Sequence, residues 1–181
     1  MDFSESERLG FCGAFVDFWT EYLQGSESTF TEGQLFAIAE SHLRGCLQHF
    51  EASIARIQRI SGVVPPEDQG RFSSMAKGLV SAPDMKTFLE LAVQLGKEFP
   101  NAVSWLEWWM REEHASMLFE SMRRMDPILW ESIPKSTNAE EAFHWRLYCA
   151  VGKRHDLMSG IRALHKTAVY LESQYAKNIS E

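Results

Sequence analysis

Apolar residues recur at three- and four-residue intervals through almost every segment of this chain, and nowhere do they alternate for the length of a strand. From Leu9 the series runs Phe11, Phe15, Phe18, Trp19, Tyr22 and Leu23, a spacing that gathers side chains on one side of a helix but scatters them over both faces of a strand. Only Gly62-Val63-Val64 has any β character. The expected fold class is therefore all-α, a multi-helix bundle of about seven to eight helices. No internal repeat or low-complexity tract interrupts it.

Capping residues and prolines divide the pattern. Ser4 and Glu7 stand at capping-box spacing and open a helix from about Glu5 to Gln24, ended by Gly25. Thr31 and Gln34 repeat that spacing. The stripe Leu35, Phe36, Ile38, Ala39, Leu43, Leu47, Phe50, Ile54, Ile57 and Ile60 then predicts the longest helix, continuous to Ser61-Gly62 with Gly45 as its weak point. Pro65-Pro66 breaks the chain, and helices follow over about Glu67 to Val80 and from Asp84 to Glu98. Pro100-Asn101 opens a tryptophan-rich helix, and shorter ones lie around His114 to Arg123 and from Asp126-Pro127 to Ser132. After Pro134, Lys135-Ser136-Thr137-Asn138 offers several capping side chains before a helix stopped by Gly152. A last helix covers about His155 to Lys177, with Leu157, Ile161, Leu164, Ala168, Leu171 and Tyr175 apolar. The chain reads as one domain, 1–181, with helices 5–134 followed by a distinct helical end, 135–181.

At 181 residues such a domain buries about 70% of its unfolded surface. The net charge of −7 lies entirely in residues 1–41, where Arg8 is the only base, so any surface for nucleic acid has to be local. Three cysteines without paired spacing, Cys12, Cys46 and Cys149, argue against a disulfide framework. The acidic N-terminus has no signal-peptide pattern, and an intracellular protein, nuclear or cytoplasmic, without a membrane partner is expected.

Each candidate site has a structural and a chemical reading. Asn138 and Glu141 stand three apart: Asn138 caps a helix whose positive end Glu141 favours, or Glu141 binds a divalent metal with a second carboxylate, for which Asp2 is the candidate. His42, Cys46 and His49 would share one stripe of the long helix, either as polar packing or, through Cys46 and His49, as zinc ligands. Trp105, Trp108 and Trp109 have buried-face spacing, but a base-stacking platform is the alternative. Candidate phosphate contacts are Arg56 with Arg59, Arg123 with Arg124, and Lys153 with Arg154, His155, Arg162, His165 and Lys166, against which stands the favoured reading of a solvated helix face. No Ser-His-Asp pattern, glycine-rich phosphate loop or paired CxxC motif is present, which leaves triad hydrolases and nucleotide-binding folds unsupported.

Three landmarks in order resemble the back half of Mutator-like element transposases, especially a divergent branch common in fungal genomes. Asp2-Phe3-Ser4-Glu5-Ser6-Glu7-Arg8-Leu9-Gly10-Phe11 is similar to the segment carrying that family's second catalytic aspartate. Gly45-Cys46-Leu47-Gln48-His49-Phe50 is similar to its Cys-x-x-His motif, and Ser136-Thr137-Asn138-Ala139-Glu140-Glu141 to its Thr-Asn-x-x-Glu motif, whose spacing selects Glu141 over Glu140. The resemblance implies two-metal phosphodiester chemistry with Mg²⁺ or Mn²⁺, a ribonuclease-H-like sheet in the full enzyme, and a helical insertion corresponding to residues 5–134. No strands and no first aspartate precede Asp2 here. The expectation is a transposase-derived, truncated or domesticated helical protein without independent DNA cleavage, retaining contacts to DNA, to a protein partner or to a second copy. The alternative is a helical interaction or regulatory module with no nucleic-acid role.

Overall fold

The computed structural model describes residues 3–24, 30–152 and 154–179, except the side chains of 138–141, 143, 144, 150, 175 and 177–179. Among these residues there are ten α-helices and no strand. The all-α expectation holds, and the count exceeds the expected one partly because a helix read as continuous is two. The chain divides into two compact units, Met1–Ser136 and Thr137–Glu181, where the sequence reads as one domain with a division at 134/135. Among the described residues no helix is long and apolar enough to cross a membrane.

The first unit holds α1 (Glu5–Tyr22), α2 (Glu32–Glu40), α3 (Leu47–Gln58), α4 (Gln69–Val80), α5 (Met85–Glu98), α6 (Val103–Met110), α7 (Glu112–Leu118) and α8 (Pro127–Ser132). Their starts follow local chemistry. The Ser4 hydroxyl accepts from the Glu7 amide, both halves of the Thr31–Gln34 capping box are present, and Asp84 accepts from the Thr87 amide at 2.8 Å. Asp126 accepts from the Ile128 and Leu129 amides while Pro127 fills the first helical position. The second unit is α9 (Asn138–Val151), ended by Gly152 at φ 92°, and α10 (Leu157–Ile179).

The core of the first unit is aromatic. Phe50 of α3 is fully buried, with Trp105 of α6 stacked on it at 5.8 Å and the edges of Trp109 and Phe119 against it at 4.9 and 5.5 Å. Phe119 continues to Phe88 of α5, and Phe72 of α4 meets Phe99 at 5.1 Å. Rings offset or set on edge add to the burial of their own area, which is how four short helices are locked against one another. By contrast α1, which packs against α2, buries only Cys12 and leaves Phe18 and Tyr22 exposed.

The long helix expected from Thr31 to Ile60 does not form. It stops at Glu40 and resumes at Leu47, and the six residues between are held by other parts of the unit. The Gly45 amide donates to the Met117 carbonyl at 2.9 Å, and the Leu47 amide donates to the Lys135 carbonyl at the same distance. The Arg44 guanidinium donates to the Trp130 and Ile133 carbonyls and lies 4.2 Å over the Trp130 ring. The ring of Phe3 fills the space beside Gly45, so that a β-carbon there would sit 2.2 Å from Phe3 Cζ. Phe3 adopts φ 61° to reach this position, a backbone region that costs a non-glycine residue about 1–3 kcal/mol, offset by burial against Trp109, Trp108 and His114.

Gly45→Ala therefore overpacks the Phe3 seat and is expected to lower stability by about 1–3 kcal/mol in urea unfolding. In a Phe3→Ala background the same substitution should cost clearly less. Equal costs in the two backgrounds would show that the ring is not the obstruction.

Candidate functional site

Residues of the first two sequence landmarks, and Lys135 just ahead of the third, meet where the α2–α3 break is held. Phe3 follows Asp2, Gly45 and Cys46 begin the second landmark, and Lys135 leads directly into the third; the Phe3 ring abuts Gly45, and the Lys135 carbonyl receives the amide two residues beyond it. Arg44 binds the same returning segment through two carbonyls. Its charge is partly desolvated, which lowers its pKa, and the charges of Glu131 and Glu120 oppose that shift.

The break corrects the expected His42–Cys46–His49 stripe, because the three residues do not share a helix. His42 lies in the turn after α2, with its Nδ1 2.7 Å from the Ile38 carbonyl oxygen, so the ring serves a backbone acceptor near the helix end. Cys46 occupies the N-cap position of α3 and is 1% exposed; His49 is the third residue of α3 and half-buried. Cys46 and His49 stay within one helical turn, but among the described residues no group of three or more His, Cys, Asp or Glu could hold a metal ion. The other buried thiol, Cys12, has its pKa raised by burial and further by the Glu40 charge, the reverse of what an activated nucleophile needs.

His49 also lines an open cleft of about 550 Å³ with Phe3, Ser53, Arg56, Ser104, Trp105, Trp108 and Trp109. The packing reading of the tryptophans holds: Trp109 is 3% exposed, and Trp105 and Trp108 are partly buried against the core. The Trp105 indole N–H donates to Ser53 Oγ at 3.1 Å. His114 Nδ1 lies 2.8 Å from the Trp108 carbonyl oxygen, which can only accept, so this nitrogen carries the proton and donates.

α9 starts one residue earlier than the Asn138 cap implies. Thr137 takes the N-cap position, Asn138 is the first helical residue, and Glu141 is the fourth. Asp2, Lys153 and the side chains of Asn138 and Glu141 lie outside the described residues.

Of the basic groups, Arg56 and Arg59 are exposed at the end of α3, and Arg154 is exposed ahead of α10. Arg123 and Arg124 are engaged locally instead. Arg124 binds Glu40 at 2.6 Å and Glu112 at 2.5 Å, Arg123 binds Glu120, and Arg8 pairs with Glu5 and Glu40. These pairs spend the bases nearest the acidic first helices on each other's neighbourhood, leaving that end negative.

Sequence reasoning missed Arg44, Phe3 and His114 as organising residues. The one available signal was Arg44 itself, a charge between Leu43 and Cys46 on a stripe otherwise read as apolar. Comparison with protein-family models, with curated proteins and with solved structures finds no match to this chain.

Cys149 is exposed, whereas Cys12 and Cys46 are buried. One thiol per chain should react promptly with an aromatic disulfide reagent, and chelator should change neither that count nor the melting temperature. A second prompt thiol after chelation would instead reveal a metal thiolate at Cys46.

Proposed function

We propose that this chain is a transposase-derived helical fragment related to the Mutator-like elements, without DNA cleavage of its own and with residual affinity for DNA. The observation that carries this reading is the convergence of Phe3, Gly45 with Cys46, and Lys135. Two segments that resemble landmarks of one family, and the residue just ahead of the third, are far apart in sequence and are joined by a ring contact and a backbone hydrogen bond. Caps and core packing alone do not require those particular segments to meet. The fold class also agrees with the helical insertion such enzymes carry between the second aspartate and the glutamate.

The chemistry of that family needs three carboxylates around divalent cations, which stabilise the attacking and leaving oxygens. These residues supply candidates for two, Asp2 and Glu141, so nicking by the chain alone is not expected. DNA affinity would rest on the exposed Arg56, Arg59 and Arg154 and would weaken steeply with salt. A second reading, a helical interaction module with no nucleic-acid role, is favoured by the exposed apolar residues of α1 and α10 and by the acidity of the first 41 residues.

With supercoiled plasmid and Mg²⁺ or Mn²⁺, the chain should nick no faster than its Glu141→Ala variant. Nicking abolished by Glu141→Ala would overturn the claim of inactivity. In a fluorescence-anisotropy titration, low-salt DNA binding should weaken on Arg56→Ala with Arg59→Ala. No binding even at low salt selects the interaction module instead.

A further inference from the structure

α1 carries more apolar surface than its packing uses. It buries only Cys12, while five of its rings form a continuous strip: Phe11 to Phe15 at 6.3 Å, Phe15 to Trp19 at 6.0 Å, Trp19 to Tyr22 at 5.4 Å and Tyr22 stacked on Phe18 at 5.9 Å. Phe11, Phe18 and Tyr22 are 42%, 59% and 69% exposed. On one flank of the strip Phe15, Trp19 and Leu23 line an apolar pocket of about 260 Å³ with Leu35, Ile38 and His42. That is smaller than the roughly 300–1,000 Å³ of a ligand pocket and suits a single bulky side chain.

The other flank is charged. Helical periodicity sets Asp17 and Glu21 one turn apart on the far side of Phe18 and Tyr22, where they line an open groove of about 430 Å³ with Glu32 at the start of α2. All three carboxylates are exposed, and among the described residues none has an ion-pair partner. The bases of this end are committed elsewhere, Arg8 to Glu5 and Glu40, and Arg124 to Glu40 and Glu112. Like charges four residues apart on a helix repel, a cost that a cation laid over them removes.

We infer that α1 is a docking surface for an arginine-bearing segment of a protein partner. The segment lies along the aromatic strip, sets one bulky apolar side chain in the pocket and pairs its guanidinium groups with Asp17 and Glu21. Charge selects this occupant. The same surface of a second copy would bring carboxylate against carboxylate, and nucleic acid or an anionic lipid would be repelled as well. Arginine is favoured over lysine because a planar guanidinium stacks on aromatic faces and binds carboxylates in a fork, whereas an ammonium holds its water more tightly. This inference rests on the interaction reading of the chain, whose partner chemistry it names. It does not depend on DNA affinity, since neither Arg56 nor Arg59 lines the pocket or the groove.

The test selects a random-peptide display library on the full chain, then titrates the enriched peptides, fluorescently labelled, by anisotropy at physiological ionic strength. The expected peptides combine arginine with a bulky apolar residue. Their Kd should rise about fivefold with Asp17→Asn plus Glu21→Gln, and should also rise with Phe18→Ser plus Tyr22→Ser, at unchanged helical circular dichroism. Glu67→Gln plus Glu107→Gln removes the same charge from exposed positions outside the strip and should leave Kd unchanged. Enriched peptides without basic residues, or indifferent to the α1 substitutions, overturn the α1 site while leaving the interaction reading standing; no enrichment at all overturns both. Equal weakening by the Glu67 and Glu107 pair reduces the effect to net charge and overturns the site. Lysine-substituted peptides that bind as tightly overturn the preference for arginine.

Discussion

The space that a side chain at residue 45 would occupy is taken by the ring of Phe3. Much of the first unit depends on that contact. It brings the N-terminal segment onto Trp109 and His114, and it places Gly45 where its amide can reach the Met117 carbonyl and that of Leu47 can reach Lys135. Glycine inside a helix costs roughly 0.5–1 kcal/mol relative to alanine, so the α2–α3 stretch is already weakest at this point. Once the amides have tertiary acceptors and Arg44 has the Trp130 and Ile133 carbonyls, a continuous helix offers these groups nothing better.

The rest of the unit divides between an aromatic core and a charged edge. Phe50, Phe72, Phe88 and Phe119 are fully buried; Phe50 and Phe88 link α3 and α5 to Phe119 after α7, and Phe72 joins α4 to Trp105 of α6. The edge is tied differently, by the chain Glu5–Arg8–Glu40–Arg124–Glu112, which connects α1, α2 and α7 through side chains that remain partly in water. Pairs of this kind contribute little each, and their value here is orientation: they fix α1 and α2 by charge where the apolar surface of α1 is largely uncovered.

Among the described residues the sequence motifs are organised by packing. Cys46 is buried as a helix-cap position, His42 serves a backbone carbonyl, and the tryptophans are core residues with one wall open to a cleft.

Local chemistry was readable without a structure because it acts over a single helical turn. Ser4 with Glu7, Thr31 with Gln34, Asp84 and Asp126 with Pro127 each begin a helix as their spacing requires, and Gly152 ends one. The all-α class followed from the same short-range periodicity. The helix expected over Thr31 to Ile60 does not form although its apolar spacing is compatible with one, because the groups that interrupt it, Phe3, Met117, Trp130, Ile133 and Lys135, lie 42 to 89 positions away from their partners. The N-cap position of α9 falls on Thr137, one residue before Asn138. The sequence by itself determined the helices, most of their ends and the apolar stripe of α10. Tertiary structure alone decided where one stripe breaks, which histidine and cysteine part company, and which apolar faces stay in water, because those outcomes depend on hydrogen-bond acceptors and ring surfaces supplied from distant parts of the chain.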